Sequence, residues 1–235
     1  MECYYKIANL LVKMDSFGRT VTQAEPYLTQ PDTPDIVIHS CWKQLKEEVP
    51  SLSDEDCEYI STGSSFYRQL LRFNGMLLHA SAVVVDDQAY LFTANSGTGK
   101  STHTALWLQQ FGDRAWLLND DKPALRLEDG QWFAYGTPWS GKHDLSRNAR
   151  VPLAGICCLQ RGETNQIIPL APKNGILPIL EQTVRPPAAE LRGKLLELLD
   201  SLLTTVPLWQ LSCNTSPEAA LLSYEAMSGN KHKEI

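Results

Sequence analysis

The chain of 235 residues contains no apolar run of the ~18 residues that a membrane-spanning helix needs. Its first residues, Met1-Glu2-Cys3-Tyr4-Tyr5, lack the basic-then-apolar pattern of a secretory leader. Six cysteines are present (Cys3, Cys41, Cys57, Cys157, Cys158 and Cys213), but none forms a C-x-x-C pair. That sets aside a zinc ribbon or a disulfide framework and leaves the reduced thiols expected of a cytoplasmic protein. Basic charge is also short: 21 Lys and Arg stand against 27 Asp and Glu, a net charge of −6. No nucleic-acid partner and no membrane are expected, and there is no internal repeat.

What is present suits one large domain, or a domain with a small appendage, since 43% of the residues are hydrophobic. The first 75 residues are a patchwork. Residues 4–14 and 35–39 are apolar enough for strands, and Pro26, Pro31 and Pro34 punctuate the loops between them. The acids between residues 47 and 58 suit a solvated loop or helix face, and residues 66–73 have helical spacing.

From residue 76 the order sharpens. Residues 76–85 and 88–94 predict a hairpin turning at Asp86-Asp87, and a second hairpin turns at Asp129-Gly130. Residues 100–110 predict a helix stopped by Gly112, followed by a strand at 115–118. Further strands are expected at 151–159, 166–170 and 206–213. Helices are expected at 173–184, 187–203 and 217–227, the last with Ser216 as N-cap. Hairpins mixed with βαβ segments indicate an α/β fold with a mixed sheet. The division expected is a β-rich appendage over 1–75 and a nucleotide-binding catalytic domain over 76–235.

Ala94-Asn95-Ser96-Gly97-Thr98-Gly99-Lys100-Ser101 matches the Walker A pattern with Ala in place of the first Gly. Gly97 and Gly99 let the backbone turn its N–H groups around phosphate oxygens, and the following helix start adds positive potential. Lys100 supplies a point charge to the β and γ phosphates, and the Ser101 hydroxyl is placed to ligate Mg²⁺. Twenty residues on, Asp120-Asp121 ends an apolar strand. Two adjacent carboxylates can divide the labour, one holding the metal and the other taking a proton from an attacking hydroxyl.

His79 opening a strand, the hairpin into Ser96-Gly97-Thr98-Gly99-Lys100-Ser101-Thr102, and Trp116-Leu117-Leu118-Asn119-Asp120-Asp121 together resemble the catalytic domain of HPr kinase/phosphorylase. The loop is also similar to that of phosphoenolpyruvate carboxykinases, which share that P-loop architecture. The resemblance covers residues 76–160, more weakly the helices beyond. It implies that Asn95, Ser96, Gly97, Thr98, Gly99, Lys100, Ser101 and Thr102 bind the triphosphate of ATP. It further implies Mg²⁺ at Ser101, Asp120 and Asp121, with Asp120 as base, Asp121 as a metal-site or network carboxylate, and His79 beside the pair.

Two departures stand out. Thr102 lies where HPr kinases carry Glu, and Gly136-Thr137-Pro138-Trp139-Ser140-Gly141-Lys142-His143 replaces a Gly-rich segment. The chain thus more closely resembles small HPr-kinase-like proteins of bacteria, some of which phosphorylate serine hydroxyls of peptides or of free serine. The expected function is an ATP- and Mg²⁺-dependent kinase acting on a serine-type hydroxyl of a peptide, protein or small molecule, and a homo-oligomer is compatible with it. A carboxykinase is one alternative, for which the chain offers the partial set His79, Lys142 and Arg147. A non-catalytic nucleotide-binding sensor or partner module is the other.

Between Pro138 and Arg150 the chain carries Lys142, Arg147 and Arg150 against one acid, Asp144. Following a metal-site strand, these cations suit the γ-phosphate in transfer or an acceptor's carboxylate. Trp139 and Gly141 would add a flat apolar contact and a hinge. The plainer alternative is a solvated connector with its Trp packed inward.

Overall fold

In the computed structural model, which describes residues 3–229, the chain opens with a hairpin rather than the single strand expected over 4–14. β1 (Cys3–Ile7) and β2 (Leu10–Met14) pair antiparallel. Between them Ala8 and Asn9 sit at φ 50° and 61°. Two consecutive left-handed residues make the turn whose twist matches that of the flanking strands. α1 (Gly18–Ala24) follows, and β3 (Ile36–Ile38) then adds parallel to β2.

α2 (Trp42–Glu48) and α3 (Asp54–Leu70) complete this part. Ser53 caps α3 by accepting from the Asp56 backbone N–H at 3.0 Å. Asp54, Glu55 and Asp56 in the first turn complement the positive end of the helix, so part of the acidic run is a helix start. The segment expected to be β-rich therefore has more residues in helix than in strand. Met1, Glu2 and residues 230–235 lie outside the described residues, and with them the leader reading and the outer ends of both expected domains.

The second sheet is mixed and curled. Its strands are β4 (Gly75–Leu77), β5 (Ala80–Val85), β6 (Gln88–Thr93), β7 (Ala115–Asn119), β8 (Ala124–Glu128), β9 (Gln131–Tyr135), β10 (Arg150–Arg161), β11 (Gln166–Pro169) and β12 (Leu208–Cys213). Their order is β4-β8-β9-β10-β6-β5-β7, with β12 on β10 and β11 on β12. The helices are α4 (Lys100–Phe111), α5 (Pro172–Glu181), α6 (Ala189–Thr205) and α7 (Glu218–Ser228). Residues 76–85 are two strands, not one. The chain breaks at Leu78-His79, so that β4 pairs with β8 while β5 pairs with β6 and β7. α7 begins after Pro217, and Ser216 instead accepts from Asn165 Nδ2 at 3.0 Å.

β5 is buried along its whole length, as a strand covered on both faces must be. Its Ala82 and Val84 face a cluster with Leu198 and Leu202 of α6. Val83 and Val85 face Trp107 of α4 and Tyr224 of α7. A third cluster joins the two sheets: Tyr5, Tyr27 and Phe66 pack with Phe133, Tyr135 and Trp139.

β5 runs antiparallel to both β6 and β7, so those two run parallel to one another. The register pairs Ala80 with Thr93 and Ala82 with Asn119. The ends of β6 and β7 and the start of β5 therefore meet at one edge, which gathers His79, residues 94–101 and Asp120-Asp121.

The strand leading to the acids is clamped from outside. Arg147 N–H donates to Leu118 O at 3.0 Å, and a Cβ added at Gly136 would lie 1.9 Å from Arg147 O. Gly136→Ala should therefore cost about 2–3 kcal/mol in urea unfolding, since backbone must move. Gly193→Ala, at an open position in α6, should instead stabilise by about 0.5–1 kcal/mol. A wild-type midpoint for Gly136→Ala would show that this approach is not a constraint.

Candidate functional site

β6 delivers the loop 94–99 to the start of α4. Gly97 and Gly99 have φ of 77° and 121°, and a Cβ built on either meets nothing within 4 Å. Their glycines answer to backbone conformation, not crowding. Lys100 is buried, and its Nζ donates back across the loop to Ala94 O at 3.0 Å. Burial pulls the Lys100 ammonium below the usual lysine range, while the carboxylates of Asp121 and Asp120 act against that shift. Ser101 and Thr102 are exposed on the first turn.

β7 ends at Asn119, a wholly buried residue whose Oδ1 accepts from the backbone N–H of Asp121 (3.0 Å) and Lys122 (2.7 Å). Its Nδ2 donates to Thr137 O at 3.0 Å, which ties the turn to the following loop. The turn sends the two acids to different partners. Asp120 Oδ1 accepts from Ser81 Oγ at 2.6 Å, and Ser81 in turn meets Thr104 of α4 at 2.8 Å. Asp121 Oδ1 lies 3.0 Å from His79 Nε2, and its Oδ2 pairs with Lys122. Burial pushes the Asp121 carboxyl up, but His79 and Lys122 outweigh it and hold the pKa at about 2.

The segment before residue 76 reaches this site through Tyr59 of α3. The Tyr59 hydroxyl donates to Asp121 Oδ2 at 3.5 Å and accepts from Gly141 N–H at 2.9 Å. Arg19 stands 4.0 Å from the ring centroid and Lys122 4.7 Å. Gln23 of α1 donates to Gly141 O at 2.8 Å. Gly141, at φ 82°, passes so close that an added Cβ would sit 3.1 Å from Asp121 Cβ. Sequence reasoning missed Tyr59, Lys122 and Asn119. Only the adjacency of Asn119 and Lys122 to the acid pair could have marked them, and no spacing marks Tyr59.

The structure brings Asn95–Thr102, His79, Asp120 and Asp121 to one edge, with Lys142 exposed next to Gly141. It does not bring the other loop cations there. Arg147 lies over Trp116, 4.9 Å from its ring centroid. Arg150 is engaged by Glu128 Oε2 (3.0 Å) and Tyr135 OH (3.1 Å) and covers Phe133. Trp139 is fully buried, stacked on Phe66 at 4.9 Å, and its Nε1 donates to Thr62 Oγ1 at 3.2 Å. It belongs to the core. The cation that does reach the loop is Arg161, at the end of β10, which donates to Gly97 O (2.5 Å) and Thr98 O (3.3 Å). Beside it, Thr98, Thr102, Leu106, Leu159 and Cys213 line a cleft of about 360 Å³.

No group of three or more His, Cys, Asp or Glu able to hold a metal occurs among the described residues. The hydroxyl of Ser101 and the carboxylate of Asp120 are hard oxygen donors. That sparse set fits Mg²⁺, which takes one or two protein ligands and completes its shell with water and phosphate. No described helix is long and apolar enough to cross a membrane.

A family model described as ScmC, SynChlorMet cassette protein ScmC, matches residues 48–217. No curated protein matches the chain. Among solved structures, the HPr(Ser) kinase/phosphatase from Coxiella burnetii is similar over 66% of this chain and 99% of that chain. The identity is 14% and the TM-score 0.39.

Glu58, the neighbour of Tyr59, gives this region a pH dependence. Its side chain is wholly buried, Thr20 of α1 donates to Oε2, and Oε1 has no hydrogen-bond partner. Burial raises its pKa from 4.5 to about 7. An acid with a raised folded pKa binds more protons when folded, so it makes stability fall as pH rises from ~4.5 through ~7. Glu58→Gln should flatten that decline by on the order of 1–3 kcal/mol in denaturation series at pH 5 and 8. An unchanged slope would mean that Glu58 ionises as freely in the native state as in the unfolded chain.

Proposed function

The chain belongs to the ScmC family, and from its site we propose an ATP- and Mg²⁺-dependent phosphotransferase acting on a serine-type hydroxyl. One observation carries the reading. A buried lysine in a Walker-type loop shares an edge with a carboxylate, Asp120, whose Oδ2 makes no hydrogen bond or ion pair among the described residues.

The backbone N–H groups around Gly97 and Gly99 and the start of α4 would cradle the β and γ phosphates. Lys100 would leave Ala94 O for those phosphates, which offer it a full negative charge in place of a carbonyl dipole. The nucleoside would lie in the cleft beside Arg161. Ser101 and Asp120 would hold Mg²⁺, which when bound neutralises charge on the phosphate oxygens.

In transfer, the acceptor hydroxyl gives its proton to Asp120 as its oxygen bonds to the γ-phosphorus and the bond to ADP breaks. Asp121, with both oxygens engaged by His79, Lys122 and Tyr59, suits a fixed network carboxylate better than a base. Lys142 stands where an anionic group of the acceptor could meet it. Residues 76–229 would form the nucleotide-handling unit, and the preceding segment would complete the acceptor side through Tyr59 and Arg19.

Lys100→Ala should abolish Mg-ATP binding in isothermal titration while the thermal transition survives. Equal binding by wild type and variant would defeat the nucleotide reading. Asp120→Asn should lower phosphate transfer from γ-labelled ATP to an acceptor in cell extract by about 10²-fold or more. Mg-ADP affinity should hold within about threefold. Near-normal transfer would move the base to another group.

A further inference from the structure

Gln182, the residue that ends α5, touches both halves of the site. Its backbone O accepts from His79 N–H at 2.7 Å, and its Oε1 lies 3.0 Å from His79 Nδ1. Its Nε2 donates to Asn95 Oδ1, at the mouth of the phosphate loop, at 3.2 Å. His79 O accepts from Thr93 Oγ1 at 2.9 Å, and Nε2 faces Asp121. All four polar atoms of His79 are thereby held. A continuous chain of hydrogen bonds runs from Asn95 through Gln182 and His79 to Asp121.

We infer that Gln182 is a positioning residue that couples occupancy of the phosphate loop to the hydrogen-bonding state of His79. The inference rests on the nucleotide reading above and adds a route between the loop and the acid pair. An amide is a donor at one end and an acceptor at the other, so it cannot turn without both neighbours changing roles.

Two settings are self-consistent. In the first, His79 Nδ1–H donates to Gln182 Oε1, Gln182 donates to Asn95 Oδ1, and the Asn95 amide hydrogens are left for the loop. In the second, the Gln182 amide donates to a bare Nδ1, its Oε1 accepts from Asn95, and Asn95 Oδ1 faces the loop.

Phosphate oxygens only accept, so an anion in the loop selects the first setting. Asp121, held ionised, also only accepts, so His79 Nε2 carries a hydrogen in both settings. The first setting therefore places hydrogens on both ring nitrogens and a positive charge beside the transferring phosphate. The second leaves the ring neutral. Nucleotide binding is read at His79 through one glutamine, with no movement of backbone required.

The test uses the full chain labelled with ¹⁵N-histidine at one pH, with Mg-ADP as the probe. His79 signals are assigned by their loss in His79→Asn. In wild type, Mg-ADP should move both ring nitrogens of His79 toward the positions of a doubly protonated ring. In Gln182→Leu that response should be lost while titration calorimetry finds Mg-ADP affinity within about threefold of wild type.

Gln182→Glu has two accepting oxygens. It should hold the ring doubly protonated with or without Mg-ADP, and it keeps the test available if the leucine variant does not fold. A wild-type response in either variant, or no response in wild type that binds Mg-ADP, overturns the coupling. Failure of wild type to bind Mg-ADP at all overturns the nucleotide reading first and the coupling with it.

Discussion

β5 runs antiparallel between β6 and β7, and this placement decides where each candidate residue stands. Without it, the crossover through α4 could return β7 to the side of β6. With β5 between them, two strand spacings separate their ends, about 10 Å. A gap of that size leaves room between the loop after β6 and the acids after β7 for a terminal phosphate and a hydrated cation. Ser81, on β5 itself, occupies the floor of the gap and joins Asp120 to Thr104 of α4. The register that buries Val83 and Val85 on one face and Ala82 and Val84 on the other thus also sets the width of the site.

Charge in that gap is balanced unevenly, which divides the two acids. Asp121 is surrounded by His79, Lys122 and Tyr59, and its neighbours stabilise the carboxylate by more than burial opposes it. Lys100 is in the opposite position: burial weakens its ammonium more than the two acids support it. A polyphosphate brought to the loop supplies the negative charge that Lys100 lacks, whereas it meets at Asp121 a group already neutralised by cations. Affinity for an anion and a fixed acid network can therefore coexist within a few ångströms.

The local chemistry of the site was legible in the sequence because it is written in contiguous residues. The loop from Ala94 to Ser101, both Asp-containing hairpin turns and the Asp120-Asp121 strand end follow from glycines, turn residues and apolar runs. The breaks in residues 4–14 and 76–85 were not legible. Val, Ile and Leu continue up to Ala8-Asn9 and through Leu78-His79, and only pairing with different partner strands divides them. The loop after β9 misled for a related reason. Its composition is cationic, but Arg147 and Arg150 find Trp116, Glu128 and Tyr135 nearby, and Trp139 fills the space between α3 and β9. Composition reports charge without direction.

Tyr59 shows what sequence spacing cannot express. It lies sixty-two residues from Asp121, yet its hydroxyl meets that carboxylate and also the backbone of Gly141. Its ring stands between two cations, Arg19 from α1 and Lys122 from the acid turn. Each such contact is worth about 0.5–2 kcal/mol, more as water is excluded. The two cations would repel each other across bare solvent. With an aromatic ring between them, and Asp56 on Arg19 and Asp121 on Lys122, both are held without direct opposition. α1 is fixed to α3 on one side and to the loop at Gly141 on the other, through Thr20, Arg19 and Gln23. The N-terminal helices therefore form one wall of the site, and any acceptor approaching Asp120 from that side meets residues no motif would have named.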